Sequence, residues 1–279
     1  MGNFIFWGWK SVFYNGRVPE KGELPRKEKI NKVVMNLKIN TIAVIAATVL
    51  FSCHQGTETT TPTKTEDAKQ VVTHVMTKEE QAKLTPDQVL QEFIDGNKRF
   101  QTGITTTRDH SEQARKSAQG QYPKAVVLSC LDSRVPVEDV FDQGLGDIFV
   151  GRVAGNFVNE DLLGSMEFAC KVAGAKLVLV MGHQHCGAIK GAIDDVKLGN
   201  ITAMLAKIKP AVKMSQDFAG EKSSKNDEFV KYVSENNVKY AMQQIREKSQ
   251  ILREMENKGE IKIVGAFYYL TNGTLEFIK

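Results

Sequence analysis

Two apolar runs in this chain end in groups that can do chemistry. Ala125-Val126-Val127-Leu128 leads into Ser129-Cys130-Leu131-Asp132-Ser133-Arg134, and Leu177-Val178-Leu179-Val180-Met181 leads into Gly182-His183-Gln184-His185-Cys186-Gly187. Both runs are short and rich in β-branched or branched apolar residues, the pattern of strands buried on both faces. A thiol, a carboxylate and a guanidinium are costly to place at the edge of a core unless they pair or bind something. The His183-x-x-Cys186 spacing lets an imidazole and a thiol converge from one tight loop before a helix, whose N-terminus favours a thiolate. With Cys130 they make three ligands of the kind zinc takes. A fourth position stays open, as in catalytic rather than structural zinc sites.

Elements that alternate strand and helix must position these groups. Thr77 with Glu80 and Thr85 with Gln88 are capping boxes, and Pro86 suits a first helical position. The second helix is predicted over Asp87–Phe100, with Val89, Phe93, Ile94 and Phe100 as its apolar positions. A polar stretch, Thr105–Gln121, leads into strand one at Lys124–Ser129. A short helix at Val137–Phe141, strand two at Asp147–Val150, a helix over Asp161–Ala173 and strand three at Lys176–Met181 follow. Helices are then expected near Ala188–Val196 and Thr202–Met214, with a long one over Asn226–Asn257. Lys262–Tyr269 and Thr274–Ile278 flank the hairpin turn Asn272-Gly273. The fold class is α/β: about four parallel strands plus a C-terminal antiparallel edge strand, flanked by helices. In such sheets ligands sit outside the carboxyl ends of the strands, where both clusters fall.

The chain has 279 residues, of which 42% are hydrophobic and 25% charged, as in ordinary globular proteins. The net charge of +4 belongs to the N-terminal segment. Residues 1–52 hold eight Lys/Arg against three Asp/Glu, leaving 29 basic and 30 acidic residues in 53–279. Nothing in this balance argues for nucleic acid. The cysteines are Cys53, Cys130, Cys170 and Cys186. A Cys130–Cys186 disulfide is the alternative to metal binding, while Cys170 reads as a small buried hydrophobe.

Thr41–Ser52 is a run of twelve uncharged residues, too short to span a bilayer. With Lys32 and Lys38 before it, the run fits the basic and apolar regions of a signal peptide. Leu50-Phe51-Ser52-Cys53 resembles a bacterial lipobox, which would make Cys53 a lipidated N-terminus and place the protein outside the cytoplasm on a bacterial membrane. Translation from Met35 would proportion the signal best and make residues 1–34 an upstream extension. The Thr-rich stretch after Cys53 reads as a flexible tether. The expected division is a leader at 1–52, an anchor and tether at 53–76, and a catalytic domain at 77–279.

Taken together, four motifs resemble those of the β-class carbonic anhydrases. They are Gly96-Asn97-Lys98-Arg99-Phe100, Cys130-x-Asp132-Ser133-Arg134, Gly151-Arg152-Val153-Ala154-Gly155-Asn156 and Gly182-His183-x-x-Cys186-Gly187, within about Thr85 to Ile278. The resemblance implies one zinc per chain on Cys130, His183 and Cys186, and reversible hydration of CO₂ to bicarbonate and a proton. It also implies a homodimer or higher oligomer. Asp132 would then orient the zinc-bound water while paired with Arg134, or turn onto the metal and close the site. Alternatives are hydrolysis of carbonyl sulfide or carbon disulfide on the same zinc, or a non-catalytic zinc-binding or redox protein.

The same resemblance makes Gln121 and Gly187 candidate substrate contacts, with a surface turn as the other reading of Gln121. One subgroup of the family builds a bicarbonate pocket on a Trp in the first strand. Val127 stands there, so that pocket is not expected, and Arg152 and Tyr268, which match its other members, read as structural. His185 can relay protons or be a solvated loop residue.

Overall fold

The computed structural model describes residues 70–278; the expected signal segment, Cys53 and the expected tether as far as residue 69 lie outside the described residues. Strands β1 (Ala125–Ser129), β2 (Ile148–Arg152), β3 (Leu177–His183), β4 (Lys262–Tyr268) and β5 (Leu275–Ile278) form one sheet in the order β2-β1-β3-β4-β5. The first four are mutually parallel, and β5 pairs antiparallel with β4. Every residue of β1 and β3 is buried, which is why both read as unbroken apolar runs.

Alternate side chains serve the two faces. Val126, Leu128, Val178 and Val180 pack with Met166, Ala169, Val238 and Ile245. On the other face, Val127, Leu179 and Met181 meet Val89, Phe93, Val140 and Phe141. Val89 and Phe93 belong to the helix predicted over Asp87–Phe100, which lays this side on the chain's own sheet. Among the described residues no helix is long and apolar enough to cross a membrane.

Helices α1 (Lys78–Lys83) and α2 (Pro86–Gln101) begin at the two expected capping boxes, with both reciprocal hydrogen bonds formed. The polar stretch before β1 is not all loop. It holds α3 (His110–Ser117), capped by Asp109, whose carboxylate accepts from the Glu112 amide at 2.9 Å. After α4 (Val137–Val140), strand two runs two residues further than predicted, to Arg152. Helix α5 (Glu160–Glu167) continues through a π-helical turn at Phe168–Val172. Past α6 (Gly187–Ile193), the predicted 202–214 helix is two helices, α7 (Gly199–Ala206) and α8 (Lys209–Met214). Pro210 starts the second because it has no N–H to continue the first. The long C-terminal helix also divides, into α9 (Asp227–Lys248) and α10 (Gln250–Asn257). Ser249 between them leaves the helical conformation, caps α10 through the Leu252 amide and donates to Glu167 at 2.6 Å.

The Gly96–Phe100 motif fastens α2 to the loop after α4. Buried Asn97 donates to the carbonyls of Val140 (3.1 Å) and Gly273 (2.9 Å). Arg99 and Arg108 grip the buried Asp142 carboxylate at 2.5 and 2.6 Å, and Thr106 adds its hydroxyl at 2.8 Å. Burial pushes the Asp142 carboxyl up, but the hydrogen bonds from Arg108, Arg99 and Thr106 outweigh it and hold the group below its ordinary value. Gly96 lies directly against the Phe141 carbonyl, so that a Cβ there would collide with backbone. Gly96→Ala sets two effects against each other. Helix propensity gains about 1 kcal/mol, and over-packing costs about 1–3 kcal/mol, more where backbone cannot turn aside. The expected net loss is about 2 kcal/mol, read as a lower urea midpoint at constant slope. A variant as stable as the parent would contradict this packing.

Candidate metal centre

Ser129 pairs with Met181 in the β1–β3 register, so Cys130, one residue past β1, emerges beside His183, the last residue of β3. Cys186 is the N-cap of α6. Between the two ligands of that loop, His185 takes φ 54, a left-handed turn that lets His183 and Cys186 face one point. The ligating atoms of Cys130, His183 and Cys186 lie within 4.8 Å of one another. All three residues are at least nine-tenths buried.

The donor set fits a tetrahedral dication. The two sulfurs are 3.9 Å apart, close to the roughly 3.8 Å spanned by two Zn–S bonds of about 2.3 Å at a tetrahedral angle. His183 Nδ1 lies 2.9 Å from the Gln184 carbonyl, which can only accept, so the ring proton sits on Nδ1. The lone pair is then on Nε2, which is buried and has no hydrogen-bond partner. An orphaned acceptor in such a place costs about 1–3 kcal/mol, and a metal ion would relieve it. The thiols behave as a pair. The hydrogen bond from Cys186, helped by the Gly155 amide, lowers Cys130 to about 4, against the effect of burial. That same bond, with burial, pushes Cys186 up. Two sulfurs this close share one proton, and a cation between them is what releases it.

The neighbouring carboxylate is held beside the ligands by Arg134. Arg134 binds both Asp132 oxygens, Nε to Oδ1 at 2.9 Å and Nη2 to Oδ2 at 2.7 Å, and its amide adds a bond of 3.0 Å. Those bonds hold the Asp132 carboxyl well below the usual carboxylate range, against a smaller opposing effect of burial. Asp132 Oδ2 lies 3.9 Å from His183 Nε2, so an anionic acceptor stands beside the open side of the donor set.

Gly187 follows Cys186 with open space where a Cβ would be. Gln121 lies before β1 in a shallow cleft with Ala114, Ser117 and Leu145. Within one chain it is therefore separated from Cys130 by the strand, about 16 Å for five residues. His185 Nδ1 meets Asp227 at 3.2 Å. Val127 is buried in the sheet, and Tyr268 pairs with His183 in the β3–β4 register.

Three contributors escaped the sequence reading. The Gly155 amide donates to Cys130 Sγ at 3.3 Å. Gly155 has φ 85, and a Cβ would strike Ile208 and come 3.1 Å from Ala188. Buried Asn237 anchors the same residue from its other side, donating to the Gly155 carbonyl at 2.8 Å. Its signal was visible: a poor helix former on the apolar face of a long helix. Arg152, read as structural, reaches the Cys130–Asp132 loop itself, with bonds to two of its carbonyls.

Comparison with known proteins places these residues in context. The family profile described as carbonic anhydrase matches residues 125–275. A carbonic anhydrase of Mycolicibacterium smegmatis is 35% identical over 188 residues, 65% of this chain and 88% of that protein. Carbonic anhydrase 2 of Mycobacterium tuberculosis is 34% identical over 185 residues, 64% and 86% of the two chains. Among solved structures, a β-carbonic anhydrase of Aspergillus fumigatus superposes with a TM-score of 0.54 at 25% identity, over 68% of this chain and 91% of that one. One of two tetrameric β-carbonic anhydrases of Sordaria macrospora gives 0.53 at 23% identity, over 59% and 84%, a likeness of fold.

Cys186→Ala is expected to abolish stoichiometric zinc binding, whereas Cys170→Ala keeps one ion per chain. Burial pushes the Cys170 thiol up to about 12, away from the cluster chemistry. Metal analysis after dialysis reads both variants, and zinc retained by Cys186→Ala would place the ion elsewhere.

Proposed function

This chain belongs to the carbonic anhydrase family, in its β class, and from that premise we propose a zinc enzyme that interconverts CO₂ and bicarbonate outside the cytoplasm. The observation that carries the reading is the unpartnered, buried His183 Nε2 beside two sulfurs 3.9 Å apart. Cys130, His183 and Cys186 would hold one zinc ion, which supplies a Lewis acid able to bring the ionisation of a water toward neutral pH.

The chain's own residues then have defined tasks. Asp132, anionic and acceptor-only, takes the hydrogen bond of the attacking water and orients its oxygen toward the CO₂ carbon. The water's proton leaves for solvent, and the new C–O bond completes bicarbonate. Arg134 holds both oxygens of the Asp132 carboxylate, which keeps Asp132 from becoming a ligand itself. Gly187, which has no side chain beside Cys186, leaves space for the small substrate. Burial of Cys130, His183 and Cys186 keeps bulk water off the three ligand atoms.

Two further parts of the reading concern place and assembly. The apolar 41–52 run, the Ser52-Cys53 junction and the Thr-rich stretch after it support a signal peptide, a lipid on Cys53 and a tethered domain. Each buried CH₂ of such a lipid contributes about 0.8 kcal/mol, so several acyl chains hold firmly where one would not. Homo-oligomerisation is supported by the fold's likeness to proteins described as tetrameric.

Stopped-flow CO₂ hydration, with zinc measured on the same sample, tests the activity. Turnover should track zinc content, and Arg134→Ala should keep zinc yet lose about 10–100-fold in kcat. Zinc without CO₂ turnover would overturn the substrate assignment, and a Cys130–Cys186 disulfide without zinc would overturn the metal site. Mass analysis and light scattering of protein extracted from membranes should show a lipid-modified Cys53 and an oligomer. A mature chain that retains Trp7, or a monomer, would refute the respective part.

A further inference from the structure

We infer that Arg152 is a positioning residue for the metal loop, acting through Cys130 and Asp132 rather than on substrate. The inference rests on the carbonic anhydrase reading of the site but is testable apart from it. Arg152 ends β2 opposite Ser129 at the end of β1. From there its Nε donates to the Cys130 carbonyl at 3.0 Å and its Nη2 donates to the Asp132 carbonyl at 2.6 Å. One planar fork thus spans the residue between them, Leu131. That side chain is 64% exposed and anchors nothing. Among the described residues Arg152 makes no ion pair with a carboxylate, so its charge-assisted bonds go to these two carbonyls.

The consequence follows from peptide geometry. With both carbonyls turned toward Arg152, the Cys130 sulfur and the Asp132 side chain are set on the remaining sides of the loop. The sulfur meets the Gly155 amide, and the carboxylate meets Arg134. The Val153 amide completes the seam on the Ser129 carbonyl at 3.2 Å. Asp132 is therefore held at both ends, its carboxylate by one arginine and its backbone by another. Arg134 alone fixes where the carboxylate points relative to the loop. Arg152 fixes where the loop points relative to the sheet that carries His183. A lysine at this position can reach one carbonyl but cannot bridge two with a rigid fork.

The test uses the full-length protein loaded with cobalt(II) in place of zinc, together with Arg152→Gln and Arg152→Lys. The visible spectrum reads access to the open coordination position through its response to added thiocyanate. Arg152→Gln should keep one metal per chain and lower kcat by about 10–100-fold, with KM little changed. Its thiocyanate affinity should fall at least tenfold as Asp132 loses its setting. Arg152→Lys should fall between Arg152→Gln and the parent in both measurements, and it carries the test if the glutamine variant fails to fold. Parent-like kcat and thiocyanate response in Arg152→Gln would overturn the inference, as would loss of metal from a folded variant. So would a lysine variant no better than the glutamine one. A parent protein inactive on CO₂ whose thiocyanate response still collapses in Arg152→Gln would refute the carbonic anhydrase reading and leave the positioning role standing.

Discussion

The in-register pairing of β1 with β3 is the contact on which the site depends. The register runs from Ala125 with Leu177 to Ser129 with Met181, so Cys130 leaves the sheet level with Gly182, next to His183. A shift by one residue would turn each side chain to the opposite face. That shift is opposed by the burial of all twelve residues of the two strands between two apolar layers. The loop inherits its precision from the core beneath it, because the strands cannot slide without unseating Val127, Leu179 and Met181 from the layer they pack against.

Electrostatics then explains why such a site is stable enough to exist. Sulfur, imidazole and carboxylate are packed together where water is scarce, and each is neutralised differently. The thiols share a proton, His183 turns its own proton to the Gln184 carbonyl, and Asp132 is matched by the fork of Arg134. What is left without a partner is one nitrogen lone pair, in the centre of the cluster. A protein that evolved only for stability would replace such groups by apolar ones of the same shape. Their presence points to a ligand that satisfies all three at once.

The surrounding shell is built from close approaches that only small residues permit. Gly155 brings its amide to the Cys130 sulfur, with Ile208 and Ala188 against its α-carbon, and Asn237 on α9 holds the carbonyl on the other side of that α-carbon. At the opposite end of the sheet, Gly96 lets α2 rest on the Phe141 carbonyl, while Asp142 gathers Arg99, Arg108 and Thr106. The first arrangement sets the metal loop. The second fixes the helix and the 104–109 segment that close the other face of the sheet.

Much of this was written in the chain. The strands were visible because continuous burial demands continuous apolar residues. The helix starts at Thr77 and Thr85 were visible because a capping box is a local hydrogen-bond pattern. The Cys, His and Cys ligands stood out because soft donors rarely follow apolar runs without a reason. Less legible were the helix breaks at Pro210 and Ser249 and the short α3, where one proline or one side-chain cap competes with a weak periodic signal. Not legible at all were the contacts made through the backbone. Arg152 on two carbonyls, Gly155 on a sulfur and Asn237 on Gly155 join residues separated by as many as 82 positions. Sequence by itself determined which groups were available and on which elements they lay, because composition and periodicity set burial and helix or strand. Only the tertiary structure decided which way each group faces, because the carbonyls and amides that aim Cys130 and Asp132 are common to every residue and leave no mark in the sequence.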